Sequence, residues 1–241
     1  MSEKRLDRIL SELGVATRSE LRQIIRSGRV RVDGAAVTQP ETRLDTASHE
    51  ITLDGVRLDC RRLRYYMLDK PVGVLSVTED RSRQTVLDLF PPELRRQGLF
   101  PVGRLDRDTS GLLLLTNDGD FAHRVISPRS GVEKRYAAEV EGETDEADVR
   151  AFAAGLVLAD GTRCLPAKLE PAGPGRCYVT VTEGKYHQVR RMLAARGKPV
   201  LGLRRLSVGA LELDPALGPG GLRELTERDL CKVLRDFAIG K

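Results

Sequence analysis

A charged cluster directly in front of a leucine run is the best candidate in this sequence for residues that do chemistry. Arg104, Asp106 and Asp108 occupy alternate positions, and four leucines follow within 111–116. Charged groups so close to a buried segment must be paired or lie at the end of a core element, because burying an unpaired charge is costly. The pattern predicts either a polar turn that leads into a core strand or a carboxylate at the mouth of a cleft. Spacing alone does not decide between Asp106 and Asp108.

The composition is that of a globular protein without a cofactor motif. The chain has 241 residues, 40% of them hydrophobic, and no apolar run approaches the about 18 residues of a membrane helix. Its start lacks the apolar core of a signal peptide, so we expect a cytoplasmic protein. Neither a Gly-x-x-x-x-Gly-Lys-Ser/Thr nor a Gly-x-Gly-x-x-Gly motif supports a nucleotide cofactor.

Metal binding also has little support in the sequence. The four cysteines form no Cys-x-x-Cys pair, and the three histidines lie far apart. Carboxylates could still bind Mg²⁺, but we expect no metal site and no cofactor.

Basic residues are concentrated in two parts of a chain whose net charge is +5. Between 18 and 32 there is one acid, and between 185 and 205 there is none. An ordinary solvated face usually mixes both signs, so these concentrations favour two contacts with a polyanion such as nucleic acid. The basic residues are Arg18, Arg22, Arg26, Arg29 and Arg31 in the first part and Lys185, Arg190, Arg191, Arg196, Lys198, Arg204 and Arg205 in the second.

The first sixty residues read as a small domain. Residues 4–13 have helical spacing, and a second helix to about Ser27 begins with a capping box formed by Thr17 and Glu20. Two Asp-Gly hairpins follow, within 30–37 and 51–58.

The remainder of the chain reads as a second, larger domain. We place the first domain at 1–60, a charged linker at 61–64 and the second domain at 65–241. Strands and helices are mixed in the second domain without regular βαβ alternation. We therefore expect an α+β protein whose larger domain has a mixed, mainly antiparallel sheet and a central cleft.

The N-terminal domain resembles an S4-type RNA-binding domain. The likeness covers about residues 4–58, and its most specific part is the run Ser27-Gly-Arg-Val-Arg-Val-Asp-Gly34. It implies that the arginines of the second helix and the following strand meet phosphates without reading bases. A structural domain with a basic surface is the alternative.

Four ordered motifs in the rest of the chain resemble the ribosomal RNA pseudouridine synthases, and the small-subunit type (the RsuA family) in particular. They are Tyr66–Gly73, Gly103–Gly119, Glu133–Tyr136 and Glu183–Met192. Such enzymes detach uracil from C1′ of the ribose, rotate it and rejoin it through C5. Because this isomerisation needs neither redox chemistry nor an energy source, the resemblance implies an enzyme without a cofactor.

The same resemblance assigns roles to individual residues. Asp106 matches the catalytic aspartate, and attack on the base, attack on the sugar and proton removal all stay open to it. Tyr136 matches a tyrosine that stacks on uracil and relays a proton. Arg190 matches the basic residue that pairs with the catalytic aspartate and keeps it ionised. Arg104 would fill the gap left by a flipped-out uridine. Lys185 and Arg191 are expected to bind RNA.

Two residues beside these motifs receive no catalytic role. His187 follows Tyr186 and is expected to have a structural role at the start of a helix, not to act as a general base. Asp69 stands where relatives often carry asparagine before Lys-Pro, a departure that we expect to affect only a local turn.

The run Tyr186-His-Gln-Val-Arg-Arg-Met192 resembles the small-subunit enzymes more than the large-subunit branch. We therefore expect the substrate to be 16S ribosomal RNA, modified at the family's site, uridine 516. We also expect a monomer with no membrane partner. Three alternatives stay open: a synthase for 23S ribosomal RNA, a non-catalytic ribosome-assembly factor and a nucleoside glycosidase. The basic concentrations disfavour the glycosidase, because they imply a polymeric substrate.

Overall fold

The structure is a computed structural model that describes residues 3–46, 48–58, 60 and 63–237. Its contacts divide the chain into two compact units. The first comprises 1–64 together with 87–99, and the second comprises 65–86 and 100–241. The predicted linker at 61–64 belongs to the first unit, and its residues 61 and 62 lie outside the described residues.

The first unit contains short helices and strands around one small core. Its elements are β1 (Lys4–Arg5), α1 (Leu6–Glu12), α2 (Arg18–Arg26), β2 (Val30–Val32), β3 (Ala35–Ala36), β4 (Arg43–Leu44), β5 (Ile51–Leu53), β6 (Val56–Arg57) and α3 (Pro92–Arg95). An antiparallel sheet has the order β3-β2-β5-β6, and β1 pairs with β4. The apolar faces of α1 and α2 pack on this sheet through Leu6, Leu10, Leu21 and Ile25.

The local signals in this unit are confirmed. The Thr17 amide donates to Glu20 Oε2 at 2.9 Å, so the predicted capping box forms at the start of α2. Asp33 and Gly34 have φ values of 49° and 82° between β2 and β3, as a tight two-residue hairpin turn requires. Helix α1 is shorter than the predicted 4–13, because residues 4 and 5 pair with β4 instead.

Residues 87–99, which the predicted boundaries place in the second domain, group with the first unit in the structure. A contact at Gly14 shows how closely residues 87–99 pack against the rest of the first unit. A Cβ at Gly14 would lie 2.7 Å from the Glu93 carbonyl oxygen, and the φ of Gly14 is 75°. Glycine is therefore required at position 14 for this approach.

The second unit is built on one large mixed sheet. Its elements are β7 (Tyr65–Lys70), β8 (Phe100–Pro101), β9 (Thr109–Thr116), α4 (Gly119–Ile126), β10 (Lys134–Val140), α5 (Glu146–Ala154), β11 (Lys168–Pro171), β12 (Arg176–Val181), α6 (Gln188–Ala194), β13 (Val200–Val208), β14 (Leu211–Glu212), β15 (Leu222–Glu224) and α7 (Glu227–Val233), with a short 3₁₀ helix at Pro128–Ser130. Another 3₁₀ helix, Val86–Leu89, begins at the last residue of 65–86 and continues into 87–99 of the first unit. The main path is β11-β12-β10-β13-β9-β7-β15. Strands β9 and β13 are parallel, and the other strand pairs that the structure describes in this sheet are antiparallel. The predicted α+β fold with a mixed, mainly antiparallel sheet is confirmed.

Strand β9 lies in the interior of this sheet, between β13 and β7. Its four leucines, Leu112 to Leu115, are all buried, because neighbouring elements cover both faces. Gly111 allows the parallel neighbour to approach, since a Cβ there would lie 2.2 Å from the Arg205 carbonyl oxygen. The leucine run thus lies in the predicted buried strand, and this strand begins at Thr109, three residues after Asp106.

Strand β7 continues further than predicted. The stretch Asp69-Lys-Pro-Val-Gly73 predicts a break after Leu68 and a resumed strand at 74–77. In the structure, β7 extends through Lys70 and 74–77 forms no strand. Asp69 and Lys70 are fully buried within β7. Both charges are tolerated there because each has partners: Asp69 pairs with Arg204, and Lys70 donates to carbonyl oxygens.

Candidate active site

Asp106 lies in the loop between β8 and β9, and the backbone on either side of it is fixed by hydrogen bonds. The hydroxyl of buried Ser76 donates to the Leu105 carbonyl at 2.8 Å and accepts from the Leu105 amide at 3.1 Å. The Thr109 amide donates to the Asp106 carbonyl at 3.1 Å. The carboxylate is thereby held at the start of the central strand. Nothing in the sequence singled out Ser76.

Lys70 is the main support beneath this loop. Its buried Nζ donates to the carbonyl oxygens of Pro71, Asp106, Arg107 and Thr109 at 3.0, 3.2, 3.4 and 3.0 Å. Burial lowers the pKa of Lys70 to about 8, against the opposing charges of Asp106 and Asp108. The sequence placed Lys70 inside a motif but gave it no role. Its position in Asp-Lys-Pro was the available signal.

The two candidate carboxylates have different surroundings. The Asp106 side chain is 29% exposed, and its Oδ1 lies 3.5 Å from His187 Nε2. The Asp108 side chain is 64% exposed and pairs with Arg190, Nη2 to Oδ2, at 3.1 Å. Asp106 is therefore the more enclosed of the two.

In this structure Arg190 pairs with Asp108, whereas the resemblance implies a pairing with Asp106. Arg190 Nη2 also donates to the Asp108 carbonyl at 3.1 Å, and Nη1 donates to the Val200 carbonyl at 3.3 Å. These bonds to the start of β13 and to the backbone of Asp108 fix the guanidinium in front of Asp108. Asp106 instead faces His187, for which we had expected only a structural role at a helix start.

Tyr136 lies on β10, two strands away from β9. It is opposite Arg205 of β13, which is opposite Gly111 of β9. At the usual strand spacing this is a separation of about 10 Å. Tyr136 points to the same face as Ala138, because side chains alternate along a strand, and packs on the core that includes Val189 of α6. The sheet register thus brings Tyr136 to the face that carries α6 and Arg190.

A polar network fixes the turn that leads into α6. Glu183 is buried, and its Oε1 accepts from the Leu165 amide at 2.8 Å and from Gln188 Nε2 at 2.7 Å. The Lys185 amide donates to Gln188 Oε1 at 2.9 Å, and the Lys185 ammonium pairs with Glu183. Lys185 thus supports the turn, a role that its basic charge alone did not indicate.

The other two predicted RNA-binding residues of the second unit differ in whether their charge is already paired. Arg191 pairs with Asp160 and donates to the Tyr186 carbonyl at 3.4 Å. Arg104 is exposed and forms no ion pair with a residue that the structure describes. Of the predicted RNA-binding residues in the second unit, Arg104 is therefore the one with an uncommitted charge.

The five arginines predicted to bind RNA in the first unit also divide into two groups. Arg29 forms a two-pronged ion pair with Asp54, and Arg31 donates to the Gly34 carbonyl at 3.1 Å. Arg18, Arg22 and Arg26 are exposed at successive helical turns of α2, without an ion pair to any described residue. These three, which we call the α2 arginine row, form one uncommitted positive face.

Asp69 does more than shape a local turn, which corrects our expectation. Its Oδ2 accepts from Arg204 Nη2 at 2.7 Å, while its buried Oδ1 has no hydrogen-bond partner among the described residues. The carboxylate that replaces the usual asparagine is therefore balanced by one arginine.

Replacing Arg204 by Met is expected to lower the free energy of unfolding by about 2–4 kcal/mol, because it leaves the Asp69 carboxylate buried and unpaired. Adding Asp69→Asn removes that charge and should restore most of the loss. Urea unfolding of the wild type, both single variants and the double variant measures this coupling. Losses that simply add would contradict it.

Lys134 is a second buried lysine, two residues before Tyr136 on β10. Its Nζ donates one hydrogen bond, to the Thr182 carbonyl at 3.3 Å. Burial, reinforced by the nearby charge of Arg205, lowers the pKa of Lys134 to about 8. In the unfolded chain the pKa returns to about 10.5, so folding penalises the charged form.

Lys134→Met is expected to raise the free energy of unfolding at pH 7 by about 1–3 kcal/mol, since it removes that penalty. Between pH 8 and 10.5 the unfolded chain binds more protons than the folded chain, so this group makes the wild type more stable as the pH rises. The advantage of the variant should therefore shrink between pH 7 and pH 9.5 in urea unfolding. A variant less stable than the wild type at pH 7 would contradict the assignment.

The described residues contain neither a candidate metal cluster nor a membrane-spanning helix. They contain no group of three or more His, Cys, Asp or Glu placed to hold a metal ion. Within the same residues, none of the helices has the length and apolar character needed to span a bilayer.

Comparison with known proteins gives matches to both units. The family described as RNA pseudouridylate synthase matches residues 64–195, and the S4 domain family matches residues 4–51. An uncharacterized RNA pseudouridine synthase of Bacillus subtilis is 44% identical, with 94% of this chain and 96% of that protein covered.

Two further matches cover nearly the whole chain. The ribosomal small subunit pseudouridine synthase A of Pseudomonas aeruginosa is 43% identical over 95% of this chain and 100% of that protein. A crystal structure of a pseudouridylate synthase has a TM-score of 0.68 at 35% identity, covering 95% and 99%. This chain therefore belongs to the RNA pseudouridylate synthase family and is a pseudouridine synthase with an N-terminal S4 domain.

Proposed function

We propose that this enzyme converts one uridine of small-subunit ribosomal RNA to pseudouridine, with Asp106 as the catalytic carboxylate. The observation that carries the proposal is the geometry of the Asp106 loop. Ser76 and Lys70 fix its backbone, while the carboxylate itself is partly exposed and forms no ion pair with an arginine or lysine among the described residues. A reactive carboxylate needs such a fixed backbone with access to substrate.

The reaction breaks the bond between N1 of uracil and C1′ and forms a bond between C5 and C1′; C5 releases its proton and N1 takes one up. The protein's own residues would hold the base and Asp106 in place during this exchange. Tyr136 offers a ring for stacking and a hydroxyl for proton transfer. Arg104 has the free charge and exposure needed to occupy the space of an extruded uridine.

Two observations favour small-subunit RNA as the substrate. The relatives from Pseudomonas aeruginosa and Escherichia coli, 43% and 38% identical, are both named ribosomal small subunit pseudouridine synthase A. The Tyr186-His-Gln run also resembles the small-subunit enzymes more than the large-subunit branch. We propose the position equivalent to uridine 516 of 16S RNA as the target, and a cytoplasmic monomer as the active form.

Release of tritium from RNA labelled at C5 of uridine tests this proposal. We expect release from 16S RNA, either free or in an assembly particle, and none from 23S RNA. Release from 23S RNA alone would mean that large-subunit RNA is the substrate. Tight RNA binding without release from either RNA would favour the assembly factor, and free uracil would favour the glycosidase.

The α2 arginine row is proposed as the main phosphate contact of the first unit. Replacing Arg18, Arg22 and Arg26 by Ala should weaken binding to small-subunit RNA and reduce the slope of log affinity against log salt by about 1 for each lost contact. The matched control removes three exposed arginines that are already paired with acids: Arg8, Arg57 and Arg83. Equal effects of the two triple variants would mean that overall charge, and not the row, determines binding.

A further inference from the structure

Tyr186 and His187 form an aromatic pair beside Asp106. Their ring centroids are 3.9 Å apart and their planes are inclined by 18°, so the rings are stacked. His187 is the ring that contacts the carboxylate, with Nε2 3.5 Å from Asp106 Oδ1. Tyr186 is 72% exposed, more than any other large apolar side chain in the described part of the chain.

The backbone at this pair is held in an unusual conformation. His187 has φ 48° and ψ 34°, in the left-handed region. Among the described non-glycine residues only Asp33 and Asp54 also have positive φ, and both occupy hairpin turns, where aspartate is common. A left-handed non-glycine residue costs about 1–3 kcal/mol, and such strain clusters at functional sites.

Several hydrogen bonds maintain this conformation. The Gln188 amide donates to the Lys185 carbonyl at 3.1 Å, and Arg191 donates to the Tyr186 carbonyl. The buried Glu183 and Gln188 network holds the same turn. The fold thus uses buried polar groups to present an exposed aromatic ring, although exposing that ring contributes nothing to folding.

We propose that Tyr186, backed by His187, is a stacking platform for the base next to the target uridine. One face of the Tyr186 ring is covered by His187, and the high exposure of the side chain leaves the other face open. The inference rests on the proposed function, because it takes RNA at Asp106 as the substrate.

The proposed contact would hold the strand while the neighbouring uridine is extruded. Base stacking on an aromatic ring contributes about 1–3 kcal/mol per base and tolerates any base identity. Tyr186 is thus a positioning residue: it would contact a flanking nucleotide and leave the bond changes to the groups around the uracil.

The test combines protein variants with RNA fragments that lack one base. On an RNA fragment with all bases present, Tyr186→Ala should lower kcat/KM by about 5- to 150-fold, the stacking contribution expressed as a rate ratio. On a fragment with an abasic nucleotide on the 5′ or 3′ side of the target, the same variant should lose no more than about twofold in one of the two cases. That case identifies the stacked base.

Two controls separate stacking from damage to the fold. Tyr186→Phe keeps the ring and should recover most of the activity lost in Tyr186→Ala. Val56→Ala removes an exposed apolar side chain of the first unit and should change nothing. Thermal unfolding of each variant checks that it is folded.

The outcomes distinguish this inference from the proposed function. If the wild type forms no pseudouridine in any ribosomal RNA, the function itself fails. If the wild type is active and Tyr186→Ala is equally active, or loses the same factor on every abasic fragment, the platform is wrong and the function stands.

Discussion

Asn at position 106 is expected to abolish pseudouridine formation, with a loss of at least about 10³-fold in the single-turnover rate. The amide occupies the volume of the carboxylate but can neither attack as a nucleophile nor accept a proton. The backbone bonds from Ser76 and Lys70 to this loop do not involve the side chain, so the fold and the affinity for RNA should change little.

Asp108→Asn is the matched control for this prediction. It removes the same charge two residues further along, from a side chain that is 64% exposed. The ion pair of Asp108 with Arg190 would be lost, but solvent screens the exposed Asp108 carboxylate, so we expect the pair to contribute only about 1 kcal/mol. We expect the rate of Asp108→Asn to stay within about tenfold of the wild type. Quenched-flow measurement of tritium release with excess enzyme gives both rates, and a larger loss for Asp108 would transfer the catalytic role to it.

Lys70→Met is expected to have the second-largest effect. Four carbonyl oxygens, including that of Asp106, would lose a charged donor, and hydrogen bonds to charged groups contribute about 1.5–3 kcal/mol each when they are considered separately. Methionine also removes the cost of burying a charged ammonium, which offsets part of the lost hydrogen-bond energy. We therefore expect a net loss of about 2–4 kcal/mol in the free energy of unfolding. A shift of the Asp106 loop by 1 Å would lower activity by about 10²-fold.

Lys134→Met provides the comparison, because burial lowers the pKa of both lysines to about 8. Lys70 donates to four carbonyl oxygens and lies near the negative charges of Asp106 and Asp108. Lys134 donates to one carbonyl oxygen and lies near the positive charge of Arg205. The same substitution should therefore destabilise the protein at position 70 and stabilise it at position 134. Urea unfolding at pH 7, with activity measured where each variant is folded, tests the contrast. Full activity of Lys70→Met would show that Lys70 does not position Asp106.

The features that the sequence predicted well are those that depend on neighbouring residues. The capping box of Thr17 and Glu20, the Asp33-Gly34 turn and the leucine strand all follow from local hydrogen bonding and periodicity, and all are present. The fold class followed from the order of such segments. The ordered motifs predicted the family, which the comparisons confirm.

The features that it missed depend on contacts between distant segments. Ser76 reaches Leu105 across 29 positions, and Arg190 reaches Asp108 across 82, so no local pattern reveals either bond. The pairing of Arg190 with Asp106 came from resemblance and differs from the geometry, in which Asp108 lies in front of the guanidinium. The extension of β7 through Lys70 was missed because two adjacent charges normally end a buried strand, and here the partners of both come from elsewhere in the chain.

Mapping of pseudouridine in ribosomal RNA tests the central claim most directly. The RNA would come from cells that lack this protein and carry either the wild-type gene or the Asp106→Asn variant. We predict one pseudouridine in 16S RNA, at the position equivalent to uridine 516, that is absent without the protein, restored by the wild type and not restored by Asp106→Asn. Restoration by the Asp106 variant, or unchanged 16S RNA in cells without the protein, would contradict the account.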